Sequence, residues 1–336
     1  MTKPCICLAL ALVAPAIVRA QADDRATFTV GTATASRGQT ATGTIEVPAG
    51  SDAALSIPVA VIHGRTRGPV LGLVAGSHGT EYASVIALQR LIAAVDPAQL
   101  AGTVIVVPLV NVPSWTGVVP HLNPVDGKNM NRMYPGRADG TQTDRASLAI
   151  TRQVIEPSDH VIDYHGGDID ENLRPYAYWT KTGKAAQDAA SKAMVLAFAL
   201  DHIIISADRP SDPAASRYLE NTATTRGKPS ITVEAGHSGT VEPEDVAALV
   251  DGTLGVMRHL KMLPGTPAVV EHPVWIDHLA DVGSDVSGVF VPVVKPGSYA
   301  EAGMKIGVVT DLLGKPLADL RAREAGVVLY VRAVPS

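Results

Sequence analysis

Cysteine is nearly absent from this sequence, since it occurs only at Cys5 and Cys7. Both positions fall inside an N-terminal segment that we expect to be removed as a signal peptide. The remaining chain would then contain no cysteine and would need no disulfide. Any metal centre in it would have to use histidine, aspartate or glutamate as ligands.

An excess of positive charge is also missing. The formal net charge is -5 at pH 7, whereas a nucleic-acid-binding protein normally presents a basic face. We therefore expect no nucleic-acid partner. With 46% hydrophobic and 18% charged residues, the chain can bury a core. Its 336 residues are enough for one large domain and a smaller one.

Residues 1–22 have the pattern of a secretion signal. Lys3 precedes an apolar run, Ile6–Val18, that is too short for a comfortable membrane span, and "AQA" at residues 20–22 offers small residues around a cleavage site. The alternative is a buried N-terminal helix. No later segment reaches the length of a membrane helix. The pattern favours an exported protein, periplasmic or secreted, without a membrane span after signal removal.

Apolar strand-like runs alternate with helix-like runs over most of the chain. This alternation predicts an α/β fold, with a mixed, mostly parallel sheet and helices on both faces. The predicted strands are Val59–Gly64, Pro69–Gly79, Gly102–Asn111, His160–Gly167, His202–Ser206 and Pro229–Gly239. The predicted helices are Ala83–Val95, Asp144–Ile155, Gly183–Leu200, Ser216–Gly227 and Glu242–Leu260. We assign residues 23–264 to this domain.

Residues 265–336 differ in composition and hydrophobic pattern from the rest of the chain. They contain short apolar segments separated by glycine and proline, and no long helix. This pattern predicts a small all-β, barrel-like domain. Its last segments resemble the biotinyl/lipoyl type of barrel, which would need a further turn and strand after Ser336. We expect a structural or gating role for this domain.

Three of the predicted strands run directly into a polar residue that has glycine beside it. "GSHGTEY" carries His78 and Glu81, "DYHGG" carries His165, and "VEAGHSG" carries Glu234. Ligands of open α/β sheets gather at the carboxyl ends of the strands. Glycine at such positions allows a tight turn or a close approach to a ligand. We therefore expect these four side chains to meet at one edge of the sheet.

The residue types at this edge fit metal-assisted hydrolysis. Two imidazoles and one carboxylate form a three-ligand zinc site with an open position for water. A second carboxylate, Glu234, could then move the proton from that water to a leaving amine. Taken singly, each residue has a plainer interpretation. The His78–Glu81 spacing occurs by chance, His165 could be a buried core histidine, and Glu234 could cap a helix or form an ion pair.

A long polar segment, residues 112–140, supplies the other candidates. It is rich in proline, glycine and asparagine, and long loops inside compact domains are often functional. Within it, Asn131 and Arg132 could bind a substrate carboxylate, with the guanidinium bidentate and the amide beside it. The alternative is a solvated loop arginine.

The whole pattern resembles the succinylglutamate desuccinylase/aspartoacylase family, of the zinc carboxypeptidase-like superfamily. The matching segments are "GSHGTEYAS", "NPVDGKNMNRMYPG", "DYHGGD" and "VEAGHSG", in the family's order, and the resemblance covers about residues 45–260. It implies one Zn²⁺ per chain, held by His78, Glu81 and His165. It also implies that Glu234 is the general acid/base.

The resemblance further implies that Asn131 and Arg132 clamp the substrate's carboxylate, and it exposes one departure. Family members often carry an arginine just upstream of "PVDGKN" that polarises the scissile carbonyl. Here "VVPHLNPVDG" has none, and His121 is the nearest polar replacement. Arg174 is a candidate for a second contact to an acidic substrate, with a surface arginine as the alternative.

Three functions are compatible with these residues. The first is a zinc amidohydrolase that removes an acyl group from an N-acyl amino acid or a similar small amide. The second is an exported zinc metallocarboxypeptidase that uses the same residues on peptides. The third is a zinc- or ligand-binding protein without catalysis, supported by the missing arginine but opposed by the retained Glu234.

Overall fold

The computed structural model describes residues 25–206, 208 and 210–336. The predicted signal peptide, residues 1–22, lies outside these residues, so export remains a prediction. Within the described residues, no helix combines the length and the apolar character needed to cross a membrane.

The elements follow one another along the chain as a mixture of strands and helices. The strands are β1 (Thr27–Val30), β2 (Ala33–Ser36), β3 (Gln39–Val47), β4 (Leu55–His63), β5 (Thr66–Ala75), β6 (Ala101–Val107), β7 (His160–His165), β8 (Glu171–Leu173), β9 (Tyr176–Thr180), β10 (His202–Ser206), β11 (Ser230–Glu234), β12 (Val274–Ile276), β13 (Val289–Pro292), β14 (Tyr299–Ala300), β15 (Lys305–Thr310), β16 (Pro316–Arg321), β17 (Gly326–Val327) and β18 (Tyr330–Arg332). The helices are α1 (Tyr82–Ala94), α2 (Val112–Gly117), α3 (Gln142–Ile150), α4 (Ala185–Phe198), α5 (Leu219–Thr225) and α6 (Pro243–His259).

A nine-stranded sheet forms the centre of the fold, in the order β12-β10-β9-β11-β7-β5-β6-β4-β3. Five pairs of neighbouring strands are parallel: β5–β6, β5–β7, β7–β11, β9–β10 and β10–β12. The pairs β9–β11, β4–β6 and β3–β4 are antiparallel. The predicted mixed, mostly parallel sheet is therefore confirmed.

Helices cover both faces of this sheet, because its central strands are apolar on both sides. On β5, Leu71 and Leu73 pack with α1, α4 and α6, whereas Val70 and Val74 pack with α3 and α5. The alternation follows from the period of two along a strand. Fully burying an aliphatic side chain of this size contributes roughly 1.5–3 kcal/mol. The two apolar layers therefore hold the edge that carries the polar residues in a fixed position.

The C-terminal region is a small β region, as predicted from its sequence pattern. It contains a three-stranded sheet, β13-β15-β16, and the pair β14–β17. Two of its strands join the large domain instead. β12 adds in parallel to β10, so the central sheet continues beyond residue 264, and β18 pairs antiparallel with β8.

Glu220, on α5, is a buried carboxyl with only 5% of its surface exposed. Its Oε2 accepts a hydrogen bond from Thr180 Oγ1 at 3.0 Å, and its Oε1 accepts one from Ser230 Oγ at 3.3 Å. Burial disfavours the ionised form and raises the pKa of Glu220 to about 8. In the folded protein this carboxyl is therefore protonated at neutral pH.

This raised pKa predicts a pH-dependent stability. Between the ordinary pKa of 4.5 and about 8, the native state keeps a proton that the unfolded state releases, so stability falls as pH rises through this window. Glu220→Gln is expected to reduce the loss, by on the order of 4 kcal/mol between the two ends of the window. Urea unfolding at pH 5.5 and 8.5 measures it. Exposed Glu301 provides the control Glu301→Gln. An equal pH dependence of the free energy of unfolding in wild type and Glu220→Gln contradicts the prediction.

Candidate active site

Three adjacent parallel strands bring the predicted residues to one edge of the sheet. β7 ends at His165 and β11 ends at Glu234, and these two residues are register partners. His78 follows the end of β5, and Glu81 immediately precedes α1. The chain turns at Gly76, whose φ is +69°. A Cβ at Gly166 would lie 2.4 Å from the carbonyl oxygen of Ala235, so this glycine permits the ends of β7 and β11 to approach.

The carboxylate of Glu81 lies between the two imidazoles. Its Oε1 is 2.5 Å from His78 Nδ1, and its Oε2 is 3.0 Å from His165 Nδ1. All three residues are buried: His78 is 8% exposed, and Glu81 and His165 are each 3% exposed. One ligand atom from each lies within 4.8 Å of the others. Two imidazole nitrogens and a carboxylate oxygen this close fit a zinc ion.

The same contacts determine the protonation of the cluster. Burial opposes ionisation of Glu81, but His165 and His78 outweigh it and lower its pKa to about 2. Burial likewise works against protonation of His165, but the carboxylates of Asp163 and Glu81 raise its pKa well above the usual value. Metal binding requires both imidazoles to be unprotonated at the ligating atom. Protons therefore compete with the metal, and its affinity is expected to fall as pH is lowered.

A second buried carboxylate, Asp163, lies behind His165. Its Oδ1 is 3.3 Å from His165 Nε2, and the residue is 1% exposed. Neither carboxylate oxygen of Asp163 has a hydrogen-bond partner in the described part of the chain, and the Asn131 amide lies closer to the same His165 nitrogen, at 2.9 Å. Asp163 therefore acts on His165 mainly through its charge. Asp163 was not predicted as a site residue from the sequence. It is two residues before His165 on β7, however, and residues two apart on a strand share a face.

Glu234 differs from the other carboxylates of the site in its partners. It is partly buried at the end of β11, and no hydrogen bond or ion pair joins its carboxylate to another described residue. Burial raises the pKa of Glu234 well above its usual value, and the negative charges of Glu81 and Glu171 add to this effect. An unpaired carboxyl that binds a proton readily is suited to general acid/base work.

Asn131 and Arg132 differ in what they can offer a substrate. Asn131 is 6% exposed, and its amide is engaged within the protein. Its Nδ2 is 2.9 Å from His165 Nε2, and its Oδ1 accepts the Leu219 N–H at 3.0 Å. Arg132 is exposed, and its guanidinium lies 4.7 Å from the centre of the Tyr218 ring. Arg132 Nη1 donates to the Asn131 carbonyl oxygen at 2.7 Å, and the rest of its exposed guanidinium is accessible to a carboxylate.

The chain segment that carries these residues is held by its own partly buried polar contacts. Asp126 accepts hydrogen bonds from the hydroxyl groups of Thr141 and Thr143, each at 2.7 Å. Lys128 Nζ lies 2.5 Å from Asp144 Oδ2. This segment, residues 123–145, ends in the first turn of α3. It also places Asn129, which was not singled out in the sequence analysis, with Oδ1 3.1 Å from His78 Nε2.

His121 lies beside the candidate metal ligands. Its ring meets the His78 ring edge to face, with centroids 5.6 Å apart. Its Nε2 is 2.8 Å from Asp170 Oδ1, and its backbone N–H donates to Asp168 Oδ2 at 3.0 Å. The structure therefore brings the predicted replacement for the missing arginine to the site.

Arg174 is directed away from this group. Its Nη2 lies 2.5 Å from Asp201 Oδ2, and its Nε donates to His202 Nδ1 at 3.0 Å. Its guanidinium thus has an anionic partner within the protein, and a substrate contact at Arg174 stays a prediction.

The fold and the site together define an α/β protein with a candidate metal centre at the carboxyl edge of its central sheet. The chain belongs to the succinylglutamate desuccinylase/aspartoacylase family. The sequence profile of the succinylglutamate desuccinylase/aspartoacylase catalytic domain matches residues 67–260, so the family resemblance found in the sequence is confirmed.

Individual relatives extend the similarity to most of the chain. An N-alpha-acetyl-L-2,4-diaminobutyric acid deacetylase from Halomonas elongata is 30% identical over 304 residues, which cover 88% of this chain and 87% of the relative. The product-bound ectoine utilization protein EutE from Ruegeria pomeroyi has a TM-score of 0.79 at 27% identity, over 88% of this chain and 91% of that one. A succinylglutamate desuccinylase from a Silicibacter species shares the fold, with a TM-score of 0.79 at 24% identity and the same coverage.

Proposed function

We propose that this protein is a zinc-dependent amidohydrolase that removes the acyl group from a small N-acyl amino acid. The observation that carries the proposal is the unpaired Glu234 beside His78, Glu81 and His165. A protein that only binds a metal has no use for such a base. Membership of the family and the similarity to the Halomonas elongata deacetylase support the same reaction class.

Each residue of the site has a defined task in this reaction. His78, Glu81 and His165 would hold one zinc ion, which when bound supplies a Lewis acid and lowers the pKa of a water molecule. Glu234 accepts the proton of the attacking water and delivers it to the nitrogen of the leaving amine. Asp163 supplies a negative charge beside the far nitrogen of the His165 ring.

The remaining contacts position the substrate. Arg132, exposed and stacked on Tyr218, binds the carboxylate of the amino acid through its planar guanidinium. In this proposal His121 contacts the oxygen of the scissile carbonyl through Nδ1, which lies 3.4 Å from Asp168 Oδ2, while its Nε2 stays on Asp170. β18 occupies the edge of β8 next to Asp170. Because β18 lies at this side of the site, it would leave room for a small substrate and not for a peptide.

The charge of the site selects among N-acyl amino acids. Glu171 is half-buried and its Oε2 accepts the Asp168 N–H at 3.3 Å, and no lysine or arginine of the described residues forms an ion pair with it. Burial raises the pKa of Glu171, and the nearby charge of Glu81 adds to the rise. A cationic side chain on the substrate would relieve this concentration of carboxylates. We therefore propose an N-acetylated diamino acid, as in the name of the Halomonas elongata relative, over an acidic amino acid.

A substrate panel tests the proposal. Amine release is measured from N-acetyl-2,4-diaminobutyrate, N-acetylaspartate, N-succinylglutamate and peptides with a free C-terminus. We expect the diamino substrate to be preferred by at least about tenfold in kcat/KM. A chelator should remove the activity and added zinc should restore it. Release from peptides alone would favour a carboxypeptidase, and zinc binding without release from any substrate would favour a binding protein.

A further inference from the structure

His121 is held in an unusual backbone conformation at the edge of the site. Its φ is +59°, in the left-handed region that non-glycine residues rarely adopt. Such a conformation persists only where surrounding contacts determine it. Two carboxylates, Asp168 and Asp170, hold His121 in this conformation.

Asp168 supplies the first of these contacts. It is fully buried, and its Oδ2 accepts the backbone N–H of His121 at 3.0 Å. Its Oδ1 accepts hydrogen bonds from the Thr80 hydroxyl and from the Ile169 N–H. Because Thr80 lies between His78 and Glu81 in the chain, Asp168 joins the His121 segment to the segment that carries two metal-ligand candidates.

Asp170 supplies the second contact and links it to the C-terminal region. Its Oδ1 is 2.8 Å from His121 Nε2, and its Oδ2 is 3.1 Å from Arg332 Nη1. The carbonyl oxygen of Asp170 also accepts the Ala333 N–H at 2.9 Å. Pairing of β18 with β8 places Arg332 opposite Glu171. The guanidinium of Arg332 thus restrains the carboxylate that binds the His121 ring.

His121, Asp168 and Asp170 also have the residue types of a cation site, and one ligand atom from each lies within 4.8 Å of the others. Their carboxylate oxygens are, however, already occupied by protein donors, and Arg332 supplies the positive charge. Asp168 and Asp170 therefore hold the His121 segment and its ring in place, and they do not form an open cation site.

We propose that Arg332 is a positioning residue that acts through Asp170 to hold the His121 ring beside His78, and so couples the C-terminal strand β18 to the reaction. The inference rests on the proposed function insofar as His121 contacts the substrate. The Arg332 side chain is 47% exposed, whereas that of Asp170 is 10% exposed. Removal of Arg332 leaves the Asp170 carboxylate with the His121 ring as a partner, so we expect the protein to stay folded. The geometry of the site should change, and small displacements there reduce rates strongly.

A double-mutant cycle tests the coupling in the full-length, zinc-loaded protein. Arg332→Ala is expected to lower kcat about tenfold, with KM changed less than about twofold and the metal content unchanged. Arg332→Lys should recover part of the loss. In a His121→Ala background, Arg332→Ala should cause no further loss. Arg321→Ala, at an exposed ion pair of β16, is the control. Unchanged kcat in Arg332→Ala, or additive effects of the two substitutions, would overturn the proposal.

A second measurement does not depend on turnover and so separates this proposal from the proposed function. The imidazole resonance of His121 is assigned in a carbon–proton NMR spectrum by its absence in His121→Ala. It should shift in Arg332→Ala, return toward its original position in Arg332→Lys and stay in place in Arg321→Ala. An unshifted resonance in Arg332→Ala would reject the positioning role. Absence of hydrolysis by the wild type, with the shift present, would reject only the proposed function.

Discussion

Glu234→Gln is expected to lose nearly all turnover while retaining the metal. The amide of glutamine fills the same space at the end of β11 but cannot accept the proton of the attacking water. Removal of a general base typically costs about 10²–10⁴-fold in rate. The measurement is kcat for the preferred substrate, together with the zinc content of the purified variant.

Glu244→Gln is the matched control for this substitution, because Glu244 is an exposed glutamate in the first turn of α6. It should behave as the wild type. A Glu234→Gln variant with full activity would remove Glu234 from the mechanism. A variant without zinc would instead indicate that Glu234 supports the metal centre.

His78→Ala is expected to lose both bound metal and activity. It removes one of three ligands and leaves the Glu81 carboxylate with a single imidazole partner, His165. We expect the affinity for zinc to fall by at least about 10²-fold, comparable to or larger than the loss seen when an outer partner of a ligand is removed. Zinc content after dialysis against a weak chelator, measured in parallel with kcat, tests the prediction.

His278→Ala serves as the control here, since the His278 side chain is 66% exposed and pairs only with Glu324 among the described residues. It should keep its zinc. Normal zinc content in His78→Ala would mean that the metal is held elsewhere and would reject the assignment of all three ligands.

The strands that carry the site are predictable from the sequence for a simple physical reason. β5, β7 and β11 are covered by helices on both faces, so most of their residues are apolar, although Asp163 interrupts β7, and each strand leads into a polar residue. Residues His78, His165 and Glu234 therefore stand out without any knowledge of the structure. Their meeting at one edge follows from the parallel order of the three strands.

Other parts of the fold and of the site were not predictable. β8 and β9 are short strands on either side of Pro175, in a segment without clear alternation. The direction of an arginine side chain depends on partners far away in the chain. Arg174 pairs with Asp201, and nothing in the sequence near Arg174 indicates this contact. The amide of Asn131 is likewise used by Leu219, a partner that only the folded chain provides.

The order of residues 123–145 has a consequence for how new specificities could arise in this scaffold. Their conformation is set by internal contacts such as those of Asp126 with Thr141 and Thr143, so they are ordered before a substrate arrives. If residues 123–145 line the substrate pocket, as proposed, binding carries little cost for ordering them. A change of preferred substrate is then expected from side chains that project from this segment, such as Arg132. Substitution of Asp126 would disturb the segment itself and should impair the turnover of every substrate.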